Sequence, residues 1–199
     1  MTHLTHLTQR ERKELSMTRE QAQAIAEEIG FSHNGIFDVD VLRFRQEVRD
    51  MCRADKCNKY NRQWTCPPAC GTLEEIREKA KQYDWGLLIQ TTAYMEDQFD
   101  AETMMEAMED QKEHFIDLLE KVREIEPEID MLPMSSGGCS VSCTRCTYPN
   151  APCRFPEKAY PSMEAYGLLV SDTCKKAGVE YYYGKDTITF TSCCLFHDA

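Results

Sequence analysis

Long apolar runs are missing from this 199-residue chain. Its longest, such as Gly86-Leu87-Leu88-Ile89 and Gly167-Leu168-Leu169-Val170, fall far short of the ~20 residues that span a bilayer, which argues against a helical membrane protein. No basic-plus-apolar segment opens the chain and no Asn-x-Ser/Thr acceptor occurs, so the expectation is a cytoplasmic protein without a signal peptide. No Gly-x-Gly-x-x-Gly follows a strand pattern, and Gly184-Lys185 lacks the upstream glycine and the following Ser/Thr of a phosphate loop. There is no His-Glu-x-x-His helix and no Gly-x-Ser-x-Gly elbow. Positive charge is scarce as well: 23 Lys and Arg against 34 Asp and Glu leave a net charge of -11, which opposes attraction to phosphate and excludes a nucleic-acid binder.

What the chain does contain is a composition that can bury a core, with 42% hydrophobic residues, and eleven cysteines. Cysteines in such number are either disulfides of an oxidising compartment or thiolate ligands of a reducing one. The odd count, the missing signal segment and a length that needs no covalent staples favour metal-binding thiolates.

Residues 1–16 carry a duplicated Thr-His-Leu and mixed charge with no packing face, and are expected to form a flexible tail before a single domain over 17–199. Thr18 and Gln21 form a capping box before a helical pattern that Gly30 ends. Phe31 to Val39 reads as extended, a short helix is expected over about 41–51, and Thr72 with Glu75 starts another through about Gln82. Trp85 to Tyr94 has strand character, Ala101 to Ile125 is a long amphipathic helix interrupted by Gln111, and Ile129 to Met134 reads as a strand. Ser162 is expected to cap a helix reaching Ala177, and Val179–Tyr183 with Thr187–Leu195 to form a hairpin. The fold class is therefore α/β: a mixed sheet with helices packed on it, two cysteine-rich metal-binding loops and a C-terminal β-hairpin.

The negative charge is local. Residues 96 to 130 hold 14 acidic residues against Lys112, Lys121 and Arg123, which accounts for the whole net charge, while residues 43 to 62 are net basic around Cys52 and Cys57. The acidic face of the helix near 101–125 is a solvated surface or a docking site for a basic redox partner. Met104, Met105 and Met108 on that helix read as adaptable core filling.

Eight cysteines fall into two quartets, Cys52-x4-Cys57-x8-Cys66-x3-Cys70 and Cys139-x3-Cys143-x2-Cys146-x6-Cys153. Four converging thiolates suit a tetrahedral zinc or a cluster of four irons and four sulfides, and spacing alone does not choose. The x8 and x6 gaps, longer than those of zinc knuckles, favour two 4Fe-4S clusters, with zinc in one or both sites as the alternative. Pro67, Pro68 and Pro152 stiffen the loops, and Gly71, Gly137 and Gly138 leave amides free to approach sulfur. Cys139-x3-Cys143-x2-Cys146 has the spacing of radical S-adenosylmethionine enzymes, but only 53 residues follow Cys146, too few for their barrel of on the order of 200 residues. Cys174, Cys193 and Cys194 read as buried structural thiols, the last two on opposite faces of a strand. His33, His114 and His197 read as structural or surface residues, and His3 and His6 as exposed ones in the tail.

The segments Met51-Cys-Arg-Ala-Asp-Lys-Cys57, Trp64-Thr-Cys-Pro-Pro68, Gly138-Cys-Ser-Val-Ser-Cys-Thr-Arg-Cys146 and Pro152-Cys-Arg-Phe-Pro-Glu-Lys, followed by Pro161-Ser-Met-Glu-Ala-Tyr-Gly167, resemble a prokaryotic family of unknown function described as predicted metal-binding proteins. The resemblance runs from about Thr18 to Leu195, and the tail before Met17 departs from the family's usual start. It implies metal binding through Cys52, Cys57, Cys66, Cys70, Cys139, Cys143, Cys146 and Cys153, in mainly anaerobic organisms, and no established reaction. Three functions are compatible with these residues. One is an electron carrier or redox subunit with two clusters that serves a partner enzyme. A second is a cluster-dependent enzyme doing reductive or desulfurating chemistry on a small substrate, with Glu157, Lys158, Tyr160 and Glu164 as nearby acid-base candidates. The third is a zinc-stabilised binding module without redox chemistry.

Overall fold

The computed structural model describes residues 17–139, 143 and 145–198. The tail expected over 1–16, with His3 and His6, lies outside them. Among the described residues five α-helices surround a four-stranded sheet. Helix α1 (Arg19–Ile29) begins with the expected capping box, the Thr18 hydroxyl accepting from the Gln21 N–H while the Gln21 side chain accepts from the Thr18 N–H, and ends at Gly30 in the left-handed region. Strand β1 (His33–Asp38) follows, then helix α2 (Gln46–Arg53) and helix α3 (Leu73–Ala80), the latter opened by the Thr72–Glu75 capping box. Strand β2 (Trp85–Tyr94), helix α4 (Ala101–Ile125), strand β3 (Met131–Met134), helix α5 (Val170–Lys176) and strand β4 (Thr187–Phe196) complete the chain.

Strand order is β1-β2-β4-β3. Alternation along β2 and β4 divides the interior into two cores. Leu87, Ile89, Cys194 and Phe196 face α1 and α4, meeting Ala22, Ile25, Phe115, Leu118 and Val122. Leu88, Cys193 and Leu195 face the other way, onto Ile76 of α3, Met163, Leu168 and Cys174 of α5. With both faces covered, the first seven residues of β2 are all buried. Cys193 and Cys194 thus lie on opposite faces as expected, and with Cys174 are completely buried. Among the described residues no helix is long and apolar enough to cross a membrane.

The α/β class stands, while several finer expectations are corrected. Every strand pair is antiparallel, so the sheet is not mixed. The C-terminal hairpin does not form, because Val179–Tyr183 is held across the sheet face by a side chain: buried Gln90 donates to the Glu180 carbonyl at 3.0 Å and accepts from the Tyr183 hydroxyl at 2.8 Å. Strand β4 pairs with β2 and β3 instead. The helix expected from Ser162 starts only at Val170: Ser162 caps a single turn, and Gly167 at φ +84° breaks it while its carbonyl accepts from the Arg45 N–H at 2.8 Å. After a 3-10 turn at Val39–Val41, that same contact, with the Phe44–Leu168 bridge, keeps the segment from Leu42 to Arg45 out of the helix and delays the start of α2. Met104, Met105 and Met108 are not core filling; they are 37, 59 and 36% exposed, because α4 turns Ala107, Gln111 and Phe115 inward. Gln111 is tolerated there since its amide donates to the Ser192 hydroxyl at 3.0 Å.

A very close approach in the sheet occurs at Gly86, where an added Cβ would stand 2.3 Å from the Phe37 ring of the paired strand. Gly86→Ala is expected to destabilise the protein by about 1–3 kcal/mol through overpacking, read by thermal unfolding.

Candidate metal centre

The first quartet lies on a loop built from tight turns. Cys52 stands in the last turn of α2, and the chain then curls through Asp55, Asn58 and Asn61, each in the left-handed region with φ between 51° and 57°. Asn and Asp tolerate this conformation better than other side chains. The Asp55 carboxylate fixes the curl, accepting from the Tyr60 N–H at 2.9 Å and pairing with Arg62 at 3.1 Å. The Asn61 N–H donates to the Pro67 carbonyl and the Cys70 N–H to the Cys66 carbonyl, which folds the Cys66-Pro-Pro-Ala-Cys70 segment back on itself. The Pro67–Pro68 bond is cis.

These thiols are neighbours in the electrostatic sense. Burial pushes Cys66 up to about 11, and the charges of Cys57 and Cys52 add to the shift while Lys59 opposes it. Burial likewise raises Cys70 to about 11, with Arg49 opposing and Cys66 and Cys52 adding. Cys52 is raised by burial, then by Glu164 and Cys57. All four first-quartet side chains are free thiols.

The second quartet encloses a space. Cys139, Cys143, Cys146 and Cys153 together line one cavity of about 40 Å³, closed by Gln63, Trp64, Thr65, Thr147, Arg154 and Ala159. The loop around it is tied by the Thr147 hydroxyl donating to the Pro152 carbonyl at 2.8 Å and by Arg154 donating to the Arg145 carbonyl at 2.9 Å. Residues 140–142 and 144 of this loop lie outside the described residues.

The two loops interlock. The Trp64 indole donates to the Ala151 carbonyl at 3.1 Å and meets the Tyr148 ring edge-on, and the Tyr148 hydroxyl donates to Asn61 at 2.8 Å. Gly138 leaves room for the Lys59 stem, since a Cβ there would lie 3.0 Å from Lys59 Cδ. Trp64 and Thr65, directly before Cys66, form part of the wall of the second cavity, so the quartets are close neighbours. Sequence reasoning did not foresee this contact; Trp64 and Tyr148 stood beside cysteines, but nothing in their spacing paired them.

Four thiols are the donor set of either a single tetrahedral metal ion or a polynuclear centre. Among the described residues no three His, Cys, Asp or Glu side chains form a group that could hold a metal ion, yet four cysteines surround one cavity. Its volume is roughly three times the ~10–15 Å³ that one water needs, room for several atoms. Protonated thiols have no charge to draw them inward, and metal binding must displace those protons.

The acid-base candidates divide. Tyr160 is buried and occupied, donating to the Glu157 carbonyl and accepting from Arg123 of α4 at 3.1 Å. Glu157 and Lys158 are exposed, and exposed Glu164 acts on Cys52 through its charge. The three described histidines make other contacts: His33 stacks on Tyr183, His114 meets Phe31 edge-on, and His197 stacks on Tyr83 with Asp130 at 3.3 Å.

Because Cys66 and Cys70 hold their protons more tightly folded than the ~8.5 of an unfolded cysteine, their contribution to the metal-free fold is complete below that value. It is lost as pH rises through about 11. Thermal unfolding of the metal-free chain at rising alkaline pH should show a falling Tm, and a flat profile would contradict the assigned burial.

Residues 35–196 match the model of a family described as "Predicted metal-binding protein (DUF2284)". No curated protein and no solved structure matches the chain. With the match covering most of its length and both cysteine loops, the chain belongs to this family of predicted metal-binding proteins.

Proposed function

We propose that the protein carries two 4Fe-4S clusters, held by Cys52, Cys57, Cys66 and Cys70 and by Cys139, Cys143, Cys146 and Cys153, and serves a partner enzyme as an electron carrier or redox subunit. The observation that supports this most is the second cavity, where four cysteines surround a space for several atoms. When bound, such clusters supply one-electron transfer at a potential set by their surroundings. The chain's own residues would set those surroundings. Cysteine sulfurs anchor, Pro67 and Thr65 are buried beside Cys66 and exclude water, and Lys59, Arg49 and Arg154 offset negative charge.

The adjacency of the quartets gives electrons a short route through the Trp64–Cys66 segment. A basic partner fits the acidic outer face of α4, whose Arg123 reaches Tyr160, next to the Ala159 that lines the second cavity. A reducing, cytoplasmic setting follows from the need to keep these thiols unpaired.

A second reading has its own support. An open pocket of about 480 Å³ adjoins Cys153, walled by Trp64, Pro149, Asn150, Pro152 and Pro156, a size that suits a small substrate. It favours a cluster-dependent enzyme with reductive or desulfurating chemistry beside the second quartet.

Anaerobic purification with metal and sulfide assay tests the proposal. The expected result is a brown protein with about four irons and four sulfides per quartet. Colourless protein containing zinc and no sulfide would overturn it in favour of a zinc-stabilised binding module. Cys52→Ser and Cys146→Ser should each lower iron and sulfide by about half, one cluster of the two; loss of everything from either change would contradict the grouping of ligands.

A further inference from the structure

Arg49 is a buried cation, only 8% exposed, with no carboxylate partner among the described residues. Its Nη2 donates to the Gly71 carbonyl at 2.8 Å, while its Nη1 is buried and has no hydrogen-bond partner. A guanidinium taken out of water without an anion is unstable, so such a group persists where a negative charge is supplied. Helix α2 sets Arg49 one turn before Cys52 on the same face, and the Gly71 contact ties it to the residue that follows Cys70. Its stem is packed against Gly167, whose left-handed backbone at φ +84° leaves no room for a Cβ beside Arg45 and Leu73. The buried head is thus held at the end of the loop that follows Cys70, one helical turn from Cys52.

We propose that Arg49 is a positioning residue for the centre of the first quartet, its free Nη1 donating to the thiolate of Cys52 or Cys70 and its charge balancing the anionic centre. This rests on the reading that the first quartet holds a cluster. Neutral thiols leave Nη1 unmatched, whereas four thiolates around iron and sulfide give it the anion that the fold otherwise lacks. Such a donor strengthens retention of the metal and makes the reduced, more negative state easier to reach.

The test compares the full-length wild type with Arg49→Gln, Arg49→Lys and Arg49→Met, each reconstituted anaerobically with ferrous iron and sulfide. Arg49→Gln should weaken iron retention against a chelator by about 10- to 100-fold and move one reduction wave to more negative potential. Arg49→Lys, which keeps the charge, should recover most of the potential. Without metal, Arg49→Met should unfold at the wild-type temperature or above it, because an unmatched buried charge has been removed. A residue that merely packs would instead lower the unfolding temperature equally with and without metal, and that result overturns the proposal. Wild type that takes up iron and sulfide beside an Arg49→Gln protein with unshifted waves also overturns it, leaving the cluster reading intact. Wild type that takes up neither overturns both.

Discussion

Two cysteine loops pressed together by Trp64 are the constraint on which the rest of this structure depends. The indole is bonded to Ala151 of one loop while its own neighbours, Thr65 and Cys66, belong to the other. Beyond the end of α2, the described residues of the two loops have no helix or strand between their cysteines, so each uses turns, prolines and the other loop as scaffold. The sheet and its helices supply the platform. Helix α2 delivers Cys52, the Thr72 capping box fixes the exit after Cys70, and β3 runs into the segment that carries Cys139.

Charge is organised around this pair of loops in a way that composition hides. The acidic residues are concentrated from 96 to 130, largely on α4, while Arg49, Lys59 and Arg154 accompany the cysteines. A group of thiolates around metal carries net negative charge, and an evenly acidic protein would repel it. Arg49 is the sharpest case, because burial denies it any other counter-ion among the described residues. The cost of that burial falls on the metal-free state.

Much of the scaffold was legible in the sequence because its signals are local. Both capping boxes, the Gly30 stop, the ten residues of β2 and the twenty-five of α4 follow from side chains within a few positions of one another. Where tertiary contacts decide, local patterns misled. Val179–Tyr183 has strand composition, yet the distant Gln90 amide claims its backbone; residues 162–169 have helical spacing, yet Arg45 and Leu73 crowd Gly167 into a left-handed turn. The quartets themselves were visible as spacing, and their neutral, buried companions Cys174, Cys193 and Cys194 as pattern. Adjacency of the quartets was not visible, since it is carried by single contacts across some ninety residues of chain, as in Trp64 to Ala151, where |i−j| is 87.

The central claim is that two neighbouring clusters occupy these loops, close enough to sense each other. Electron paramagnetic resonance of the dithionite-reduced protein tests it most directly. Two clusters across the Trp64 contact predict a broadened spectrum with splitting from spin–spin interaction, which simplifies to one unsplit signal in Cys146→Ser. A fully reduced protein with no signal, or with two sharp signals that ignore each other's presence, would contradict the account.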